Sequence, residues 1–206
     1  IGLSGLPPME HYRLGQCIAR AAEALGRRVV LIASGDLSHK LLADGPYGFA
    51  PQGPEFDAQC TSALAQGDFL SLLQMDADFC EAAAECGLRS FWIMAGALDK
   101  KAAAAKLLSY EGPFGVGYGV AYFAVQGEDK TRNFGAGYIG EECKRLSNCK
   151  ANEDDYVCLA RKSLETYIRT GKRADMPEGL PAEMLNTRAG AFVSLKKYGR
   201  LRGCIG

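Results

Sequence analysis

The chain is poor in histidine and carries no net charge, and both features limit the classes of function that it can have. Of its 206 residues two are histidines, and 24 Lys and Arg balance 24 Asp and Glu. A zero net charge argues against a broad electrostatic attraction to nucleic acid or to an anionic membrane. No apolar run approaches the roughly 20 residues that span a bilayer, and we expect no signal peptide at the start.

The cysteines lack the spacing of a zinc knuckle, because no two of them form a C-x-x-C pair. Several lie in helix-like apolar patterns, where a free cysteine behaves as a small hydrophobic residue. We therefore predict a reducing, cytoplasmic compartment with mostly unpaired thiols. The chain has eight cysteines: Cys17, Cys60, Cys80, Cys86, Cys143, Cys149, Cys158 and Cys204.

The first 125 residues have the pattern of an α/β domain. Apolar residues at helical spacing predict a helix over 9–25 that ends at Gly26. The apolar run in "RRVVLIAS" predicts a short, fully buried strand of the kind found in parallel sheets. Further along, the pattern predicts a loop over 42–54, helices over 55–86 with Asp76 and Asp78 as candidate N-caps, a helix or strand in "LRSFWIMAGAL", and strands over 107–111 and 116–125.

The composition changes after Val125. Residues 126–150 are polar and contain glycine, which predicts an interdomain linker. A second pattern follows, with a helix capped by Asn152 and two strands, "GAFVSLKK" and "RLRGCIG", joined by a turn at Tyr198 and Gly199. Since the chain starts at Ile1 rather than Met and stops inside a predicted strand, we expect it to be a piece of a longer one.

His39 is the first candidate for chemistry. It follows the predicted strand in "ASGDLSHKL", and ligands of open α/β sheets gather at the carboxyl ends of strands. Gly35 permits a sharp turn, Asp36 is placed to orient the imidazole ring, and a histidine can give or take a proton near neutrality. The alternative is a loop histidine that makes a local hydrogen bond.

Three stretches, "LIASGDLSH", "ECGLRSFWIMAGALD" and "SYEGPFGVGYGVAYF", resemble the C-terminal half of the LigB-like class III extradiol dioxygenase and Memo family. The resemblance covers about residues 1–125 and implies a partial LigB/Memo-like sheet flanked by helices. It also implies that His39 is the acid/base of an active site, with Asp36 beside it.

The same resemblance implies a mononuclear non-haem Fe(II) centre with two histidine ligands and one further ligand. The two histidines belong to the half of the family domain that precedes this sequence. His11 matches no ligand motif and is interpreted as a surface or packing residue. The third ligand should lie near "ECG", where Cys86 fits the Memo-like pattern and Glu85 is the alternative. The alternative without a metal is that Glu85 is solvated and that Cys86 packs at a helix end.

Residues 151–206 resemble the start of a second family, the AMMECR-type domain, which has an α+β fold. "GAFVSLKKYGRLRGCIG" carries this resemblance. Cys204 beside Arg202 is either an activated thiolate or a buried strand cysteine. The basic residues Lys196, Lys197, Arg200 and Arg202 either contact an anion or form a solvated hairpin face.

Fusions of these two domains are known in the AmmeMemoRadiSam set, which implies a radical-SAM partner protein. We therefore predict part of an extradiol dioxygenase-like protein that acts on a small aromatic or related substrate, without nucleic acid or membrane partners. The alternative is a non-catalytic, Memo-like metal-binding, redox or scaffold module. Without the upstream histidines, we expect this chain alone to bind iron weakly and to be inactive.

Overall fold

Helices and strands are mixed along the chain, as the sequence predicts for an α/β protein. A computed structural model describes residues 1–197 and 200–205. The chain divides into two compact units, Ile1–Gly140 and Glu141–Gly206. Within the described residues, no helix combines the length and the apolar composition needed to cross a membrane.

The first unit is built from short helices and one long hairpin. Its strands β1 and β2 pair antiparallel from Lys101–Glu128 to Glu111–Tyr118. The stretch 88–98, which the sequence left open between helix and strand, is helical over Leu88–Ala97. Asp76 caps the helix over Ala77–Ala83, as predicted, by accepting the Phe79 N–H at 2.9 Å. The elements are α1 (Pro8–Ala24), α2 (Gln52–Gln66), α3 (Phe69–Gln74), α4 (Ala77–Ala83), α5 (Leu88–Ala97), β1 (Lys101–Glu111) and β2 (Tyr118–Glu128).

Helices α1 and α5 approach each other through glycine. A Cβ on Gly15 of α1 would overlap the carbonyl oxygen of Ile93, and one on Gly96 of α5 would overlap that of Tyr12. The helix backbones therefore lie in direct contact. Around them the core of the unit contains Tyr12, Leu37, Phe56, Phe69, Leu72, Leu73 and Leu88, each at most 1% exposed.

The segment before the His39 loop differs from its prediction. Residues 27–34 form no strand, and no described residue pairs with them in a ladder. Leu31 and Ala33 pack against the core, whereas Val30 and Ile32 are 88% and 84% exposed. The prediction of a fully buried strand is therefore wrong. An apolar run forms a buried strand only where a neighbouring strand pairs with it, and apolar composition alone does not supply that neighbour.

The second unit contains a helical part and a hairpin. Asp154, rather than the predicted Asn152, caps its helix α7 by accepting the Val157 N–H at 2.8 Å. Strands β3 and β4 pair antiparallel as predicted, and the predicted turn residues Tyr198 and Gly199 lie outside the described residues. The elements are α7 (Asp155–Thr170), α8 (Ala182–Asn186), β3 (Val193–Lys197) and β4 (Arg200–Ile205).

The stretch predicted as a linker, 126–150, contains the end of β2, a turn and most of helix α6 (Phe134–Ala151). The division between the two units falls within α6, after Gly140. The boundaries of the family domains stay a prediction.

Candidate functional site

The loop that carries His39 is fixed by backbone hydrogen bonds on both sides. On one side the N–H groups of Leu37 and Leu41 donate to the carbonyls of Gly117 and Gly115, at 2.8 and 3.1 Å. On the other side the His39 N–H donates to the Ala83 carbonyl at 3.2 Å. The loop is thus clamped between the β1–β2 turn and the end of α4.

Ser38 and Asp57 anchor the same loop from within. Ser38 is fully buried, and its N–H donates to Asp57 Oδ1 at 2.7 Å while its hydroxyl donates to the Ala83 carbonyl at 2.8 Å. The Tyr110 hydroxyl donates to Asp57 Oδ2 at 2.7 Å. Burial raises the pKa of the Asp57 carboxyl, and the hydrogen bonds from Tyr110 and Ser38 oppose that rise. Asp57 therefore ties the loop to both α2 and β1.

Two glycines bring the backbones of the His39 loop and the Cys86 turn together. Gly35 has a φ of +155°, and a Cβ there would overlap the Cα of Gly87. A Cβ on Gly87 would in turn lie 2.9 Å from the Asp36 carbonyl oxygen. The two glycines have no side chains and so let the two backbones approach closely. In this arrangement the Cys86 N–H donates to the Asp36 carbonyl at 3.3 Å, and Cys86 Sγ accepts the Asp36 N–H at 3.2 Å.

Asp36, His39 and Cys86 form a cluster of possible metal ligands. One ligand atom from each lies within 4.8 Å of the other two, and Asp36 Oδ2 is 3.6 Å from His39 Nε2. His39 Nε2 is buried, and among residues 1–197 and 200–205 it has no hydrogen-bond partner. Imidazole, thiolate and carboxylate are all ligands of first-row transition metals. Such a group of side chains fits a cation held at Cys86, with the unpartnered nitrogen of His39 beside it to exchange a proton.

Glu85, the alternative third ligand, makes a hydrogen bond to a helix terminus. Its Oε2 accepts the N–H of Leu88 at 2.7 Å and so caps the first turn of α5. Burial raises the pKa of this carboxyl, an effect opposed by the Leu88 hydrogen bond and by Arg89. Of the two predicted candidates, the described cluster includes Cys86 and not Glu85.

The remaining residues singled out from the sequence lie apart from the cluster. His11 is buried on α1, with its ring nitrogens 3.4 Å from Ser4 Oγ and 3.3 Å from the Pro7 carbonyl, so it is a packing residue. Cys204 and Arg202 lie on β4 of the second unit and are exposed in this chain. Cys204 Sγ is 3.5 Å from the hydroxyl of its cross-strand partner Ser194. The roles assigned to Cys204 and Arg202 stay predictions.

Sequence reasoning missed Asp57, Tyr110 and Tyr47. Asp57 shares a helix face with Cys60 and Leu64, and a carboxylate within such an apolar stripe is a signal that could have been noticed. Tyr47 lies in the glycine-rich loop after His39, and its ring stacks on the imidazole with centroids 5.0 Å apart and planes inclined by 27°. Nothing in the local pattern distinguishes Tyr47 or Tyr110 from other aromatic residues.

Comparison with protein families matches each unit to a different family. Residues 2–121 match the model of the catalytic LigB subunit of aromatic ring-opening dioxygenase. Residues 157–206 match the AMMECR1 model. The first match includes Asp36, His39 and Cys86, and the second includes Cys204.

A protein of Clostridium acetobutylicum is 41% identical over 207 residues, which cover 100% of this chain and 44% of the clostridial protein. The chain therefore spans less than half the length of that relative. A Thermotoga maritima protein is 49% identical over 55 residues, covering 26% of this chain and 32% of its own length. A Pyrococcus horikoshii protein is 42% identical over 55 residues, covering 24% of this chain and 26% of its own.

Proposed function

This chain belongs to the family of the catalytic LigB subunit of aromatic ring-opening dioxygenases, and on that basis we propose that it forms part of a non-haem iron, extradiol dioxygenase-like site. Cys86 would hold the metal, and His39 with Asp36 would move protons. The observation that carries the proposal is the cluster itself, in which one possible ligand atom from each of Asp36, His39 and Cys86 lies within 4.8 Å of the other two, and the buried His39 Nε2 has no described hydrogen-bond partner.

His39 is suited to proton transfer because its Nε2 is buried but has no described partner to compete with a substrate hydroxyl. The imidazole can accept a proton from a bound aromatic diol and return it when the ring opens. Asp36 Oδ2, 3.6 Å from Nε2, stabilises the imidazolium between those two events. An iron centre, when bound, supplies the Lewis-acid and redox chemistry that brings the diol and dioxygen together. We further propose that the two histidine ligands come from protein sequence outside this chain.

Oxygen uptake by the full-length, iron-loaded protein with catechol as substrate tests the proposal. His39→Gln should lower turnover by about 100-fold or more, the usual contribution of a general acid or base. His11→Gln is the matched control, since His11 is the chain's other histidine and lies outside the cluster. Uptake that does not require iron, or that survives His39→Gln, would contradict the assignment.

A second candidate function is a Memo-like metal-binding or redox module without ring-opening activity. The observation that favours it is the presence of a cysteine, Cys86, in the cluster while Glu85 caps a helix. The same assay separates the two functions. Stoichiometric iron binding by the full-length protein, with no oxygen uptake that depends on an aromatic diol, would support the module.

A further inference from the structure

The His39 ring is covered on one face by Tyr47. The two ring centroids lie 5.0 Å apart at an interplanar angle of 27°. The His39 side chain is 19% exposed, whereas Tyr47 is 54% exposed, so the tyrosine is the outer of the two rings. A histidine ring is usually oriented by a hydrogen bond at one of its nitrogens. Here Nε2 has no described hydrogen-bond partner, and the described ring contact of the imidazole is the stack on Tyr47.

The loop that carries Tyr47 is closed by its own backbone. Leu41 and Phe49 form an antiparallel bridge, and the Ala50 N–H donates to the Lys40 carbonyl at 3.1 Å. Gly48 has a φ of +73°, and its N–H donates to the Gly45 carbonyl at 3.2 Å, so Tyr47 lies within a tight turn. Tyr47 is therefore held over His39 by a loop that starts two residues after that histidine.

We infer that Tyr47 is the positioning residue of His39. Its ring covers one face of the imidazole and holds the imidazole plane so that Nε2 stays beside Asp36 Oδ2. This inference rests on the proposed function of His39 in proton transfer. Stacking requires the aromatic ring and not the phenol, because within the described residues the Tyr47 hydroxyl makes no hydrogen bond to the protein. Tyr47→Phe should therefore preserve the effect, and Tyr47→Ala should remove it.

The geometry is tested in this chain by the proton NMR signals of its two histidines. Stacking on an aromatic ring displaces the His39 Cε1–H resonance, and His39→Gln assigns it by deletion. Tyr47→Ala should move the His39 signal and leave that of His11 in place, while Tyr47→Phe leaves both in place. Phe49→Ala is the matched control, because Phe49 is also 54% exposed on the same loop and makes no described ring contact with His39. A His39 signal that is unchanged in Tyr47→Ala would overturn the inference.

The functional consequence is tested by oxygen uptake in the full-length, iron-loaded protein. Tyr47→Ala should lower kcat by about tenfold or more, because a misplaced proton-transfer group is inefficient. Tyr47→Phe should restore kcat, and Phe49→Ala should leave it unchanged. Loss of activity in His39→Gln but not in Tyr47→Ala would refute the positioning role and leave the proposed function intact. Full activity in His39→Gln would refute the proposed function, and the NMR comparison would still decide whether the rings stack.

Discussion

Replacement of Asp57 should loosen the His39 loop without replacing a member of the Asp36, His39 and Cys86 cluster. Asp57 accepts hydrogen bonds from the Ser38 N–H and the Tyr110 hydroxyl, both at 2.7 Å. Asp57→Ala removes both acceptors at once. Asp57→Asn is the matched variant, because its amide oxygen can still accept from Ser38 while its NH₂ donates to the Tyr110 oxygen.

The size of the effect follows from the burial of the two donors. Ser38 is 0% exposed, so its N–H is left without an acceptor, at a cost of about 1–3 kcal/mol. Tyr110 is 42% exposed, and water can replace Asp57 at its hydroxyl for little cost. We therefore expect Asp57→Ala to lower the free energy of unfolding by about 2 kcal/mol and Tyr110→Phe by less than about 1 kcal/mol. Asp57→Asn should stay within about 1 kcal/mol of the natural protein.

Urea unfolding followed by tryptophan fluorescence measures these differences. Trp92 is the chain's one tryptophan and donates to the Leu72 carbonyl at 2.8 Å within the first unit, so it reports on the unit that contains the loop. An Asp57→Ala variant as stable as the natural protein would refute the reasoning. An Asp57→Asn variant as damaged as Asp57→Ala would also count against it, since the asparagine keeps the acceptor.

The pH dependence gives an independent check with a definite sign. Because burial raises the pKa of Asp57, the folded state takes up a proton at a higher pH than the unfolded state does. The stabilisation is fully present below the ordinary pKa of an aspartate and is lost as the pH rises through the folded value. Glu85 has a raised pKa as well and contributes with the same sign, so the comparison must be between variants. Asp57→Asn should flatten this fall in stability, and an unchanged slope would contradict the assignment.

Three further predictions concern helix packing and the roles within the cluster. Gly96→Ala should lower the free energy of unfolding by about 1–3 kcal/mol, because the new Cβ would overlap a carbonyl of α1. Gly140 in α6 has open space around it, so Gly140→Ala should raise the free energy of unfolding by up to about 1 kcal/mol. Urea unfolding of both variants checks these opposite signs. His39→Ala should lower turnover of the full-length, iron-loaded protein about 100-fold while changing stability little, and equal losses in oxygen uptake and in thermal unfolding would favour a structural histidine. Cys86→Ser should abolish the thiolate-to-metal absorption band of the Co²⁺-loaded full-length protein and Glu85→Gln should not, whereas the reverse result would make Glu85 the ligand.

Local patterns in the sequence predicted most of the helices and, in the candidate site, the proximity of Asp36 and His39. Asp36 and His39 are three residues apart, so their proximity follows from one turn of chain and could be inferred without a fold. The helical spacing in α1 and the cap at Asp76 are local in the same sense. These features depend on residues within one turn of each other, which is the distance over which sequence patterns are informative.

Features that depend on pairing between distant segments could not be predicted in this way. The alanines at 102–105 have high helix propensity, yet they form part of β1 because they pair with residues 123–127 of β2. Val30 and Ile32 have the composition of a buried strand and are exposed, because no described segment pairs with them. Asp57 contacts Ser38 across 19 positions and Tyr110 across 53, so a local pattern can mark Asp57 as unusual but cannot identify its partners.

The position of Cys86 depends both on a local sequence motif and on contact between distant segments. The family resemblance pointed to the "ECG" stretch but left Cys86 and Glu85 as alternatives. The structure separates them through Gly35 and Gly87, since the contact of those two backbones places Cys86 Sγ 3.2 Å from the Asp36 N–H. The same contact leaves Glu85 free to accept the Leu88 N–H at the start of α5. The glycines therefore determine which side chain contacts the Asp36 backbone, although neither of them carries any chemistry of its own.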